Sequence, residues 1–246
     1  TVSEDTIKVF KEGLRLYEVT DGALDITLGP LINLWGFGPD KRPTDIPSKE
    51  TIDRVKAKAN INGFTINGLK LTKNNPDLYV DLSSSAKGYG VDKIAQLLNK
   101  YQVEGYLVEI GGEISVKGVK DDGNPWRIAV EKPSTQGAAI QQVVEPGNMA
   151  LATSGDYRIY YEEDGERFSH IIDPRTGYPI KHKLASVTVL HPSSMTADAY
   201  ATAMMVLGTE ASLALAHEQN LPVMLIEKDG DDYDVFYSEA YAPYIQ

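Results

Sequence analysis

The feature that most constrains this chain is a succession of short alternating runs from Tyr106 onward, each closed by glycine or a polar turn. Residues 106–110 end at Gly111-Gly112 and resume as 114–116, and 126–130 and 141–144 alternate in the same way. Residues 149–155 read as a buried strand that ends in small polar side chains. Residues 158–161 and 167–172 flank Glu163-Asp164-Gly165-Glu166, a hairpin signal, and 223–227 and 234–237 flank a second, acidic turn around Gly230. Runs of period two joined by tight turns pair antiparallel. The acidic turn lacks the Asp/Asn spacing and the late Glu of a calcium loop, so it reads as a solvated hairpin tip.

Helical spacing interrupts these strands. Ile7, Phe10, Leu14 and Tyr17 mark an amphipathic helix that stops near Asp21-Gly22. Residues 22–38 mix glycines and Pro30 with Trp35 and Phe37, the texture of a chain passing close to something bulky. Residues 39–48, with three prolines, read as an exposed loop. A second helix is expected over 49–59, then strands at 64–66, 70–72 and 78–82. Ser83-Ser84-Ser85-Ala86-Lys87-Gly88 opens a helix expected to bury Ile94, Leu97, Leu98 and Tyr101. A strand at 184–190 precedes a helix starting near Thr196, and another helix is expected over 210–219. The class is α+β, antiparallel sheets with packed helices, as one domain over 1–246 or two intimately associated halves.

Composition narrows the functions. The formal charge of −11 argues against a general nucleic-acid binder, which needs a basic surface to neutralise phosphates. A small phosphorylated ligand is still compatible, because a metal ion can supply local positive charge. With no cysteine, zinc-thiolate sites, disulfides and a cysteine nucleophile are excluded. No apolar run is long enough to span a bilayer. No Gly-x-Ser-x-Gly or His-Glu-x-x-His is present, and the run before Lys87 lacks the glycine spacing of a P-loop.

Asp198 and Thr202 stand at i and i+4 just inside a Ser/Thr-capped helix start, so both oxygens emerge from one face. Two readings are open there. One is a capped helix whose Asp complements the macrodipole; the other is a corner that holds a hydrated divalent cation beside a phosphate. Lys87, at a strand–polar turn–helix junction, is a phosphate contact or simply solvated. Among the four histidines, His170 stands out, at the polar end of a strand beside Asp173 and a glycine turn. Polar small-residue segments at 22–25, 81–88, 153–155 and 170–177 each adjoin a buried run. With 196–202 they are placed to converge on one cleft for a long, phosphate-containing ligand.

Taken in order, these segments resemble the FAD:protein FMN transferase (ApbE flavin transferase) family. The residues that carry the resemblance are Asp21-Gly22-Ala23-Leu24-Asp25 with Trp35-Gly36, Asp81 through Tyr89, Gly111-Gly112, and Ala152-Thr153-Ser154-Gly155. They continue with His170-Ile171-Ile172-Asp173-Pro174, Thr176-Gly177, and Ala197 through Thr202. The resemblance implies one flavin-transferase domain over 1–246 whose two halves surround a central FAD cleft. It also implies a Mg²⁺-dependent enzyme that cleaves FAD, attaches FMN by a phosphoester to a Thr or Ser of a target flavoprotein, and releases AMP. By motif, Asp198, Thr202 and an oxygen from the Ser84 region hold the metal. Ala23, Leu24, Asp25, Asp81, Lys87, Gly111, Gly112, Thr153, Ser154 and Ile171 bind FAD. His170, or Asp198 itself, takes the acceptor proton.

The family's members lie on the periplasmic side of the bacterial inner membrane, often as lipoproteins; the export and lipidation segment and a first strand are not in this sequence. Glu109 and Glu113 depart from the usual neighbours of the Gly-Gly pair. Two other activities suit the same residues: a Mg²⁺-dependent FAD diphosphatase that uses water, and a non-enzymatic FAD-binding protein.

Overall fold

The computed structural model describes residues 1–39, 45–133, 139–157, 159–163, 165–230 and 232–245. In chain order its elements begin with α1 (Glu4–Val19), α2 (Gly29–Leu34), α3 (Lys49–Lys56), β1 (Phe64–Asn67) and β2 (Lys70–Lys73). Next come α4 (Ser83–Lys100), β3 (Tyr106–Ile110), β4 (Glu113–Lys117), β5 (Ile128–Glu131), β6 (Ile140–Val144) and β7 (Ala150–Gly155). The chain closes with β8 (Tyr160–Glu163), β9 (Glu166–Ser169), β10 (Leu184–His191), α5 (Ser194–Leu207), α6 (Thr209–Glu218), β11 (Val223–Asp229) and β12 (Asp232–Tyr237). It divides into two compact units, each discontinuous in sequence: 1–84 with 159–181, and 85–158 with 182–246. The described elements are helices and antiparallel sheets, the expected α+β class.

The first unit is built on two apolar clusters. Phe10, Ile26 and Ile61 form one, and Leu28, Leu31, Trp35, Ile52, Phe168 and Ile172 form the other. Trp35 is fully buried, stacks on Phe168 at 5.6 Å between ring centroids, and donates its indole N–H to the Gly177 carbonyl at 2.8 Å. That bond ties the loop after β9 to α2. Gly177 has φ +81°, and a Cβ there would lie 2.9 Å from Ile52 Cγ2, so the turn needs its glycine.

In the second unit a six-stranded sheet runs β12-β11-β10-β7-β4-β3, every neighbouring pair antiparallel. Helix α5 packs on β7 and β10. Its first eight residues are all buried, and Ala203, Met204, Met205 and Val206 continue the buried surface. A helix enclosed on nearly all sides must bury its polar groups with partners, and this fixes what Asp198 can do.

Three sequence expectations are corrected, and one unassigned stretch gains an element. Residues 78–82 form no strand: Asp81 donates its N–H to the Ile26 carbonyl, while Val80 and Leu82 pack on the Phe10 cluster. Residues 29–34, given no element in the sequence reading, are helical, with Pro30 at the helix start where its missing N–H costs nothing. The strand expected from Trp126 begins at Ile128, and Trp126 instead donates its indole N–H to the Lys117 carbonyl at 3.0 Å. Helix α4 buries Ser85, Gly88, Val91 and Ala95, whereas Ile94, Leu97 and Tyr101 are exposed. The reason is close approach: a Cβ on Gly88 would lie 2.3 Å from the Ser194 carbonyl oxygen, so only small side chains fit the inner face. Arg158, Asp164, Asp231 and residues 40–44 of the expected loop lie outside the described residues. No helix among the described residues is long and apolar enough to cross a membrane.

The indole bond predicts a graded response. Trp35→Phe is expected to lower unfolding stability by about 1–3 kcal/mol, since a buried carbonyl loses its donor. Trp35→Ala is expected to cost about 3–5 kcal/mol. Urea denaturation followed by circular dichroism separates the two, and a wild-type midpoint for Trp35→Phe would show that the bond contributes nothing.

Candidate active site

Within the second unit, α4, α5 and the β3–β4 hairpin bring charged groups together. The hairpin turns on Gly111 and Gly112, with φ +62° and +100°, between the paired residues Ile110 and Glu113. Two consecutive positive φ values are what a two-residue hairpin turn demands, so the backbone itself accounts for this glycine pair. The turn delivers Glu113 to the buried face of β4, where its side chain pairs with Lys87 of α4. Lys87 is therefore an ion-pair partner rather than a merely solvated cation. Its ammonium also lies 3.9 Å from Asp198 Oδ1, and Asp198 Oδ2 accepts the Gly88 N–H at 3.0 Å.

Two carboxylates, Glu113 and Asp198, are thus buried around one lysine. Burial pushes the Asp198 carboxyl up to about 7; Lys87 works against this, Glu113 adds to it, and the Gly88 N–H offsets part. Glu113 Oε2 is buried and makes no hydrogen bond. Thr202, one turn after Asp198 on α5, has its hydroxyl 3.3 Å from Ser154 Oγ. Hard oxygens beside an excess of buried negative charge fit a divalent cation. Among the described residues no group of three or more His, Asp or Glu is placed to hold a metal, so such a cation would rest on hydroxyls and one carboxylate. The Thr153 hydroxyl pairs with the Thr188 hydroxyl of β10 at 2.9 Å.

The remaining expected residues belong to the first unit. Ala23 and Leu24 are buried, and the Leu24 N–H is taken by the Thr20 hydroxyl at 3.1 Å. Asp25 Oδ1 accepts from the Thr27 N–H and hydroxyl at 2.7 and 2.6 Å, closing a tight turn. Asp81 accepts from the Ser83 N–H at 2.8 Å at the entrance to α4, and Ser84 is half-buried in that helix's first turn. His170 follows β9, and its Nδ1 lies 3.0 Å from the Ile159 carbonyl. A carbonyl only accepts, so Nδ1 carries the proton and Nε2 is the basic atom of the neutral ring. Ile171 is buried, donates to Ser169 Oγ at 3.2 Å and accepts from the Ile180 N–H at 3.0 Å.

The sequence profile of the ApbE family matches residues 1–225. The chain belongs to the ApbE family. It is 51% identical to a Vibrio cholerae FAD:protein FMN transferase, over 99% of this chain and 73% of that protein. A Haemophilus influenzae protein of the same name is 49% identical, over 98% and 71%. Among solved structures, the flavin transferase ApbE from Vibrio cholerae superposes with a TM-score of 0.91 at 50% identity, covering 100% of this chain and 78% of that one. The apo flavinyl transferase ApbE from Pseudomonas stutzeri gives 0.90 at 41%, covering 99% and 75%.

Sequence reasoning missed two members of this charge cluster. Glu113 was read as a departure in a motif, although a lone acid on the inward face of an apolar strand signals a buried ion pair. Gly88 belongs to a motif in the sequence, but its role as a hydrogen-bond donor is visible only in three dimensions.

A raised carboxyl pKa also sets a stability profile. The folded chain binds the Asp198 proton more tightly than the unfolded chain, from an ordinary 3.8 to about 7. Stability therefore falls as pH rises through that window, and the full penalty is present above it. Asp198→Asn is expected to remove that penalty. In cation-free buffer at pH 8 its melting temperature should exceed wild type by about 2–4 °C per kcal/mol recovered. An unchanged or lower value in differential scanning calorimetry would refute the account.

Proposed function

We propose that this chain is an enzyme that transfers the FMN half of FAD to a Thr or Ser hydroxyl of an acceptor flavoprotein, using Mg²⁺ and releasing AMP. Its near full-length similarity to proteins named FAD:protein FMN transferases carries the reading. The charge cluster around Asp198 supports it.

In this reaction the acceptor oxygen bonds to the FMN phosphorus, the bond from that phosphorus to the bridging oxygen breaks, and the bridging oxygen leaves with AMP. The hydroxyl proton passes to a protein base. His170 suits that role, because the Ile159 carbonyl holds the ring proton on Nδ1 and makes Nε2 the basic nitrogen of the neutral ring. Asp198, with its carboxyl near neutrality, is the other candidate base. Asp198 and Thr202 of the second unit would be the protein's ligands for Mg²⁺, the assignment of Ser84 to the same role resting on the family motif alone. When bound, Mg²⁺ supplies neutralisation of charge on the non-bridging oxygens and the departing phosphate. Lys87 places a further positive charge at the same corner. Ala23, Leu24, Asp25, Asp81 and Ile171 are assigned to FAD in the first unit, and Gly111, Gly112, Thr153 and Ser154 in the second.

The test is incubation with FAD, Mg²⁺ and a flavoprotein subunit that bears an acceptor Thr, followed by mass spectrometry. One FMN adduct per AMP released is the expected result. Steady AMP release without any adduct would replace the transferase by an FAD diphosphatase, and retained FAD with no AMP would reduce it to a flavin binder. Asp198→Ala is expected to lower Mg²⁺-dependent turnover by about 100-fold or more. His170→Ala is expected to lower kcat by about 10²–10⁴-fold while FAD still binds.

A further inference from the structure

A helix start leaves its first N–H groups without intrahelical partners. At α5 the accounting closes through a residue on another helix. Asp92, half-buried on α4, accepts the Ser194 N–H at 2.7 Å through Oδ1. Through Oδ2 it accepts the Met195 N–H at 3.1 Å and the Ser193 hydroxyl at 2.6 Å. Ser193, the N-cap, accepts the Thr196 N–H at 3.4 Å, and its carbonyl accepts the Ala197 N–H at 3.1 Å. The Ser193 N–H itself donates to His191 Nδ1 at 3.0 Å.

Asp92 stands one helical turn after Gly88, whose N–H holds Asp198 Oδ2. The same two helices are therefore joined at two points a turn apart. One joint is a backbone N–H of α4 on a carboxylate of α5; the other is a carboxylate of α4 on backbone N–H groups of α5. Between them Gly88 lies against the Ser194 backbone too closely for any Cβ. Neither helix can rotate or slide against the other without breaking one joint.

We propose that Asp92 is a positioning residue for the cation corner: its carboxylate fixes α5 in rotation and height, so that Asp198 and Thr202 present their oxygens in one arrangement. The inference rests on the reading of Asp198 and Thr202 as cation ligands. The Asp92 carboxylate is taken up by the Ser193 hydroxyl and the Ser194 and Met195 N–H groups, so its effect is that of an outer partner that orients a ligand.

Asp92→Asn tests this, because whichever way the amide turns, its NH₂ meets a backbone N–H where a carboxylate oxygen accepted. The measurement is Mn²⁺ binding in the presence of FAD, by electron paramagnetic resonance of the free ion, with circular dichroism as the check of folding. Asp92→Asn is expected to weaken Mn²⁺ by about 10–100-fold. FAD affinity by fluorescence without cation should stay within about twofold, a split that loss of stability alone does not produce. A folded Asp92→Asn protein with wild-type Mn²⁺ affinity overturns the inference, whatever its melting temperature. If Asp92→Asn does not fold, Ser193→Ala removes one of the three donors and is expected to weaken Mn²⁺ about threefold; unchanged affinity there overturns it equally. If wild type binds no Mn²⁺, or Asp198→Ala binds it as well as wild type, it is the cation-ligand reading that fails, and the inference falls with it.

Discussion

Gly88 passes the backbone of Ser194 so closely that a Cβ would lie 2.3 Å from its carbonyl oxygen, and the chemistry of the second unit depends on that crossing. It brings a backbone N–H of α4 within hydrogen-bonding reach of a buried carboxylate on α5, and it puts Lys87, the preceding residue, within 3.9 Å of that carboxylate. A larger residue would separate the helices, and Asp198 would lose its backbone donor while still buried. An isolated buried carboxylate of that kind takes up a proton instead of binding a cation. Close backbone packing is thus a condition for the charge.

Much of this architecture was legible in residue order. The hairpins, the α+β class and the cap on α5 follow from turn residues and period, and Ser193 does accept from Thr196 as a capping serine should. The inside of α4 was not legible, because its buried stripe is made of small residues and its outer face carries Ile94, Leu97 and Tyr101. Apolar periodicity identifies the wrong face when a helix packs so tightly that only Gly, Ser, Ala and Val fit inside. The run at 78–82 misled for a related reason. Leu78, Val80 and Leu82 supply core packing, but the backbone N–H of Asp81 pairs with a loop carbonyl rather than a ladder.

The site was legible in part, and unevenly. Asp198 and Thr202 stand out by i, i+4 spacing, yet spacing alone is satisfied by a capped helix and does not require a cation corner. Burial is the further observation that bears on the choice. An exposed Asp near a helix start is a favourable dipole partner, whereas one enclosed as Asp198 is costs free energy unless a cation or donors meet it. The glycine pair at 111–112 shows the opposite confusion, since its motif reads as ligand-binding while its positive φ values already explain both residues. A motif residue can thus be needed by the fold and by a ligand at once, and sequence order does not divide the two.

Charge accounting gives the cluster its direction. Lys87 cannot neutralise both Glu113 and Asp198, and its contact with Glu113 is the closer of the two. The remaining deficit falls on Asp198, the carboxyl that burial drives up to about 7. In a chain with a formal charge of −11, an anion at this corner meets one lysine already shared between two carboxylates, and a bound cation would add the positive charge it lacks. A buried acid that shares its lysine with a second carboxylate and accepts a backbone N–H is well suited to that exchange. Bound to a proton it costs the fold little, and bound to a divalent ion it becomes the anchor of a site that the protein's own charges would otherwise repel.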